Sequence, residues 1–126
     1  MVLALLGQLL LGMANTFWLE VPESGPAWNA AQPASLVTAH MTLGTALTVL
    51  AIWIGWIAVR TRDRVWITAS VVGLVGIVLG FAGGTVFMGD PSSDVSSYVM
   101  AVGCALAIAA YALGLAALPA DPSKRA

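Results

Sequence analysis

Four apolar runs dictate what this chain can fold into: about Val2–Leu19, Ala34–Val59, Val65–Met88 and Val95–Leu118. Each is close to the ~20 residues that a helix needs to cross the hydrocarbon core of a bilayer. The expected fold class is therefore all-α, with residues 1–126 forming a single domain, an integral membrane four-helix up-down bundle. Composition points the same way. Hydrophobic residues make up 60% of the chain and charged ones 9%, against roughly 25% charged in soluble domains. The first run could be mistaken for a signal peptide. It has no basic preamble, however, and ends in Phe17-Trp18-Leu19-Glu20 rather than in a small-residue cleavage site, so it is read as a helix. It opens abruptly at Met1, which leaves room for an upstream stretch.

The charges give an orientation. Arg60, Arg62 and Arg64 separate the second and third runs, and Lys124 and Arg125 lie in the tail. With four spans, both regions and the N-terminus share one side, which the positive-inside rule makes cytoplasmic. Glu20, Glu23, Asp90 and Asp94 fall in the two outer loops, which carry no Lys or Arg. A multi-pass protein of a prokaryotic plasma membrane is the expected setting. The net charge of −1 offers nothing to nucleic acid, because the few charges sit at loops and ends. Trp18, Trp53, Trp56 and Trp66 fall near helix ends, as an interfacial belt requires. The segment Glu20–Pro33 reads as an irregular outer loop. The turns Arg60–Arg64 and Gly89–Ser93 read as tight, with Ser93 or Asp94 capping the fourth helix. Pro119–Ala126 reads as a polar, frayed tail.

Small residues mark where helices meet. The third run carries Ala69, Gly73, Gly76, Gly80, Gly83 and Gly84, and the fourth carries Ala101, Ala105, Ala109 and Ala112 on one face. Lipid provides little hydrophobic drive between helices, so close approach over small residues supplies the packing. The lone cysteine, Cys104, between Gly103 and Ala105, reads as a small packing residue, and one thiol excludes an internal disulfide.

The polar residues inside the spans single out one position. Gln8, Gly12 and Asn15 form a stripe on the first helix; His40, Gly44, Thr48, Ala51 and Gly55 form one on the second. Buried amides and an imidazole need partners, so the stripes should face each other or a ligand. Simple helix-to-helix adhesion accounts for Gln8, Asn15 and Thr48, at about 0.6 kcal/mol per contact. His40 is the only histidine, six residues into its helix and so about 9 Å below the outer surface. Ionisable groups at membrane depth are rare and usually functional. Neutral imidazole is the form that ligates metal, and Gly44, one turn deeper, would leave space for a flat macrocycle. The same spacing fits a histidine bonded to a carbonyl or to Tyr98. The candidate cofactor-binding set is His40, Gly44, Gln8, Asn15 and Tyr98, with haem b as the candidate cofactor. Met13, Met41, Met88 and Met100 all lie towards the outer side. His40 with Met13, Met41 and Met100 is thus a candidate thioether–imidazole set for haem iron or cuprous copper. The alternative for each methionine is gap-filling in the core.

Gln8-Leu9-Leu10-Leu11-Gly12, a loop with Glu23-Ser24-Gly25, and His40-Met41-Thr42-Leu43-Gly44 together resemble one four-helix half of haem A synthase. They are also similar to small uncharacterised four-helix membrane proteins with a glutamine-containing first helix and H-x-x-L-G on the second. The resemblance covers about Gly7–Ala51 and implies a haem-facing His40 in a four-helix bundle. The chain departs from that pattern in carrying Ser97-Tyr98-Val99 where those relatives place a second histidine, and in lacking the arginine and paired histidines of a haem A synthase site. Gly80-Phe81-Ala82-Gly83-Gly84-Thr85 resembles a stretch of small fluoride channels, but Val86-Phe87-Met88-Gly89 replaces their polar break, so that likeness is set aside.

Three functional expectations follow: a haem-binding or redox-associated membrane protein with His40 as axial ligand; a cofactor-free accessory subunit of a larger membrane complex; and a copper-handling protein. Besides the lipid bilayer, the expected partners are other membrane subunits or a second copy of the chain. The spans hold no carboxylate, nucleophile–base pair or phosphate-binding loop, so the reading leans against an enzyme.

Overall fold

The computed structural model describes residues 1–18, 34–90 and 94–118. Those residues form four helices and no strand: α1 (Val2–Trp18), α2 (Ala34–Thr61), α3 (Arg64–Gly89) and α4 (Asp94–Ala116). Each helix packs on its neighbours in sequence and α1 closes the ring against α4, whereas the backbones of the diagonal pairs α1–α3 and α2–α4 stay apart. This is an up-down bundle. Helices α2, α3 and α4 are long and apolar enough to cross a membrane. Helix α1, with 17 residues, is shorter, at about 25 Å for a rise of ~1.5 Å per residue. The expected helix limits shift by a few residues. α2 runs on through Thr61, α3 takes in Arg64, and α4 stops at Ala116 rather than Leu118. Leu19, the Glu20–Pro33 loop, Ser93 and the Pro119–Ala126 tail lie outside the described residues.

The turn between α2 and α3 is built by a residue that its arginines overshadow in the sequence. Arg62 takes a left-handed conformation (φ 56°) and ends α2. Asp63 then caps α3, its Oδ1 accepting from the backbone N–H of Val65 at 3.0 Å and of Trp66 at 3.1 Å. The first N–H groups of a helix have no partner within it, so this carboxylate starts α3 where the chain reverses. Beside the turn, the Arg60 guanidinium stacks over the Trp56 ring at 4.5 Å, and Trp56 in turn lies 5.2 Å from Trp53. Trp53 and Trp56 are exposed, as suits aromatic side chains at a membrane interface.

The most extensive contact is between α3 and α4. A Cβ placed on Gly76 would lie 2.5 Å from the Gly103 carbonyl oxygen, and one on Gly103 would lie 2.5 Å from that of Gly76. The two backbones therefore touch. Around this point Tyr111 covers Gly73, Gly114 meets Ala69, and Met100 lies on Gly83 and Gly84. The small-residue ribbon of α3 is thus its buried face. On α4 the expectation was wrong: Ala101, Ala105 and Ala109 are exposed, and the buried face is Ser96, Gly103, Ala107, Ala110, Tyr111 and Gly114. Leu5, Leu47, Ala51, Ala107 and Tyr111 form the central core cluster.

Replacing Gly76 by alanine forces the two backbones apart and should cost about 1–3 kcal/mol, as overpacking does. At Gly80 the added methyl would meet only Met100 O at 3.8 Å, so Gly80→Ala should be neutral or gain up to about 1 kcal/mol of helix propensity. Reversible unfolding in mixed micelles compares the two variants, and equal effects would contradict the packing described.

Candidate functional site

The polar stripes of α1 and α2 meet at one place. The side-chain amide of Gln8 donates to His40 Nε2 at 3.1 Å and to the His40 carbonyl oxygen at 3.1 Å. Packing there is reciprocal. A Cβ on Gly44 would sit 3.1 Å from the Gln8 amide nitrogen, and one on Gly12 would sit 3.3 Å from His40 Cε1. Each long polar side chain therefore lies on the glycine of the opposite helix, and each glycine is one turn from the polar residue of its own helix. The spacing Gln8/Gly12 against His40/Gly44 produces this because residues four apart share a helix face and the helices run in opposite directions.

The hydrogen bonds fix the chemistry of the imidazole. The His40 carbonyl can only accept, so it selects the NH₂ end of Gln8 rather than its oxygen. An NH₂ group facing the ring makes Nε2 the acceptor and leaves the proton on Nδ1, an assignment from the bonding network. Three buried polar atoms of the α1 and α2 stripes then have no hydrogen-bond partner: His40 Nδ1, Gln8 Oε1 and Asn15 Oδ1. Unpaired polar atoms are costly in an apolar surrounding, and they concentrate on the stripes that hold His40. Thr48 takes no part, its hydroxyl donating to the Gly44 carbonyl at 2.9 Å.

The remaining candidates are dispersed. Tyr98 is 70% exposed on α4, the helix diagonally across the bundle from α2. Met13 and Met41 are exposed. Each follows a residue of the seam in sequence, which turns it about 100° around its helix. Met100 lies in the α3–α4 contact, its sulfur 3.4 Å from where a Cβ on Gly84 would be. The thioethers therefore do not converge on His40. Among the described residues no group of three or more His, Cys, Asp or Glu side chains could hold a metal ion. The volume over Gly44 that the sequence offers to a macrocycle is filled by Gln8. For haem iron, the donor atom fits: Nε2 carries the lone pair of the ligating tautomer, accepting here from Gln8. The room does not, until the Gln8 amide leaves.

Compared with protein-family models, curated proteins and solved structures, the chain matches none.

A double-mutant cycle on Gln8→Ala and His40→Ala should return a coupling of about 0.6 kcal/mol, and no more than about 1.7 kcal/mol, as interhelical hydrogen bonds in membranes do. A cycle that closes with zero coupling would mean that the two side chains do not meet.

Proposed function

We propose that the chain is a small multi-pass protein of the cell membrane, with cytoplasmic termini, that binds a metal-bearing ligand through His40, haem b being the ligand class favoured. The observation that carries this reading is the state of the imidazole. Its Nε2 lone pair is aimed across the α1–α2 seam and is engaged only by the Gln8 amide, a side chain with three rotatable bonds. The unpartnered Nδ1 proton and Gln8 oxygen further support a seam that accommodates something besides its own residues. The resemblance of Gly7–Ala51 to a haem A synthase half adds to it. Bound haem would supply one-electron redox chemistry. The chain's own contribution would be the His40 Nε2 that holds the group and the Gln8 amide that now occupies that nitrogen. Nothing in the chain supplies a second histidine, so a bis-histidine site would need a second copy.

The seam itself favours a second reading. Gln8 and His40 fill each other's glycine notches without a third component, which is what a cofactor-free accessory subunit of a membrane complex would need to hold α1 in place. Copper handling is not proposed, because the methionines do not gather at the imidazole.

Absorption spectroscopy after haem-replete expression separates these readings. A Soret band absent from His40→Ala is expected. Gln8→Ala should keep the band and bind haem about three- to tenfold more tightly, since the competing amide, worth on the order of 1 kcal/mol, is gone. No Soret band in the wild-type protein, or one unchanged in His40→Ala, would overturn the haem reading and leave the accessory-subunit reading standing.

A further inference from the structure

The opposite end of the bundle carries a second feature, independent of His40. Arg60, Arg62 and Arg64 stand within five residues at the α2–α3 turn, and all three are exposed. Between Glu23 and Asp90 the sequence holds one acidic residue, Asp63. Its Oδ1 is already engaged by the backbone N–H groups of Val65 and Trp66. The turn therefore presents an excess of positive charge where the two spans end. Arg60 is also held in place, its guanidinium lying over the Trp56 ring at 4.5 Å. Stacking uses the face of a guanidinium and leaves its edge, with the N–H donors, for an oxyanion.

Next to this turn is a cleft of about 330 Å³, to which Ile54, Ile57, Ala58 and Thr61 of α2, Trp66 of α3 and Leu115 of α4 contribute. Ala58 is buried at its floor, whereas Ile57, Thr61 and Leu115 are exposed at its rim. The cleft is thus reached from outside without moving a core residue. The Thr61 hydroxyl is spent, donating to the Ile57 and Ala58 carbonyls at 3.0 and 3.2 Å, so what the cleft offers an occupant is apolar surface. Thr61 stands between Arg60 and Arg62 in sequence, and Trp66 follows Arg64 by two residues. Cleft and cations therefore share one level of the bundle.

We infer that this end of the bundle docks one anionic phospholipid, its phosphate on the arginine turn and one acyl chain in the cleft. Charge and apolar surface together select that occupant. A free phosphate would match the cations and leave the cleft empty. A second copy of the chain would bring the same arginines and set like charges against each other. A zwitterionic lipid carries an ammonium group, and the one carboxylate of the turn is engaged as the cap of α3. Basic side chains at a membrane surface attract anionic headgroups, and a planar guanidinium meets a phosphate through two parallel N–H donors.

The test is native mass spectrometry of the full chain released from detergent, titrated with a phosphatidylglycerol and, separately, with a phosphatidylethanolamine of the same acyl chains. Phosphatidylglycerol should bind saturably at one equivalent, and about tenfold more tightly than phosphatidylethanolamine. Arg60→Gln, Arg62→Gln and Arg64→Gln should each weaken it about fivefold, the effect of one cation near a headgroup surface, and the triple variant should bind the two lipids alike. These side chains are exposed, so the lipid-free unfolding temperature should hold and a loss of affinity cannot be blamed on misfolding. Leu115→Trp narrows the cleft from its exposed rim. It should weaken phosphatidylglycerol about tenfold, as the loss of about two buried methylene groups would. Equal affinity for the two lipids, binding that does not saturate, or binding unchanged in the triple variant would overturn the inference. So would affinity unchanged in Leu115→Trp, which would reduce the site to surface charge, or a dimer that takes up no lipid. The haem result at His40 bears on none of these outcomes.

Discussion

Backbone contact between Gly76 and Gly103 is the interaction on which the rest of the bundle depends. In water, two apolar helices associate because burial removes hydrocarbon from solvent. In lipid that gain is small, and what remains is the dispersion energy of surfaces that come close. Only glycine on both sides lets α3 and α4 approach until each would-be Cβ falls on the other helix's carbonyl. Once that point is fixed, Tyr111 over Gly73, Met100 over Gly83 and Gly114 against Ala69 follow as neighbours in the same register. The Asp63-capped turn then sets α2 against α3, where a Cβ placed on Gly55 would lie 3.5 Å from Ser70 Cβ.

Helix α1 is held by other means. It is the shortest helix and touches α2 and α4 less than those helices touch α3. Its contact with α4 includes a long hydrogen bond from the Cys104 thiol to the Leu5 carbonyl, 3.8 Å. Its attachment to α2 runs through the amide and imidazole of Gln8 and His40. Thus one side of the bundle is fastened by backbone contact over glycines, and the other by the packing of Leu5 on Leu47 and Ala51 together with the two hydrogen bonds of one flexible side chain. Sites that must admit a ligand are drawn from the less stable parts of a structure. The placement of the only histidine in the more easily opened seam is the physical link between the fold and the proposed function.

Much of this was legible in the residues, and the failures have specific causes. Apolar length alone locates four helices, because a spanning chain has few options for its backbone. The α3 ribbon is readable because its glycines are flanked by bulky Val, Leu and Ile, so contrast marks the face. On α4 that contrast is missing: alanines occur on every side, and the face was assigned to Ala101, Ala105 and Ala109 when Gly103, Ala107 and Gly114 carry the contact. Period 3.6 identifies a face only where small and large residues segregate. Gly44 was rightly a notch, but spacing does not reveal what fills it, and the filler, Gln8, lies 36 residues away. Tyr98 stands in the candidate set as a hydrogen-bond partner for His40. The buried one is Tyr111, and only the three-dimensional register with Gly73 distinguishes them.

The two polar features are separated by the core layer of Leu5, Leu47, Ala51 and Ala107. Ala51 alone is 11 residues along α2 from His40, about 16 Å at the helical rise. None of these four side chains carries a proton or a lone pair that could relay charge. Anything felt at both ends must therefore pass through movement of a helix that reaches both. Helices α1 and α2 do so, with Gln8 and His40 at the seam and Leu5, Leu47 and Ala51 in the core layer. Of the two, α2 is anchored by the capped turn and by Ser70. Helix α1 is held at two levels, by Gln8 on His40 and by Leu5, 2% exposed, in the core layer, so α1 cannot shift at Gln8 without disturbing that layer. The seam that holds the histidine is thus continuous, through α1, with the core of the bundle.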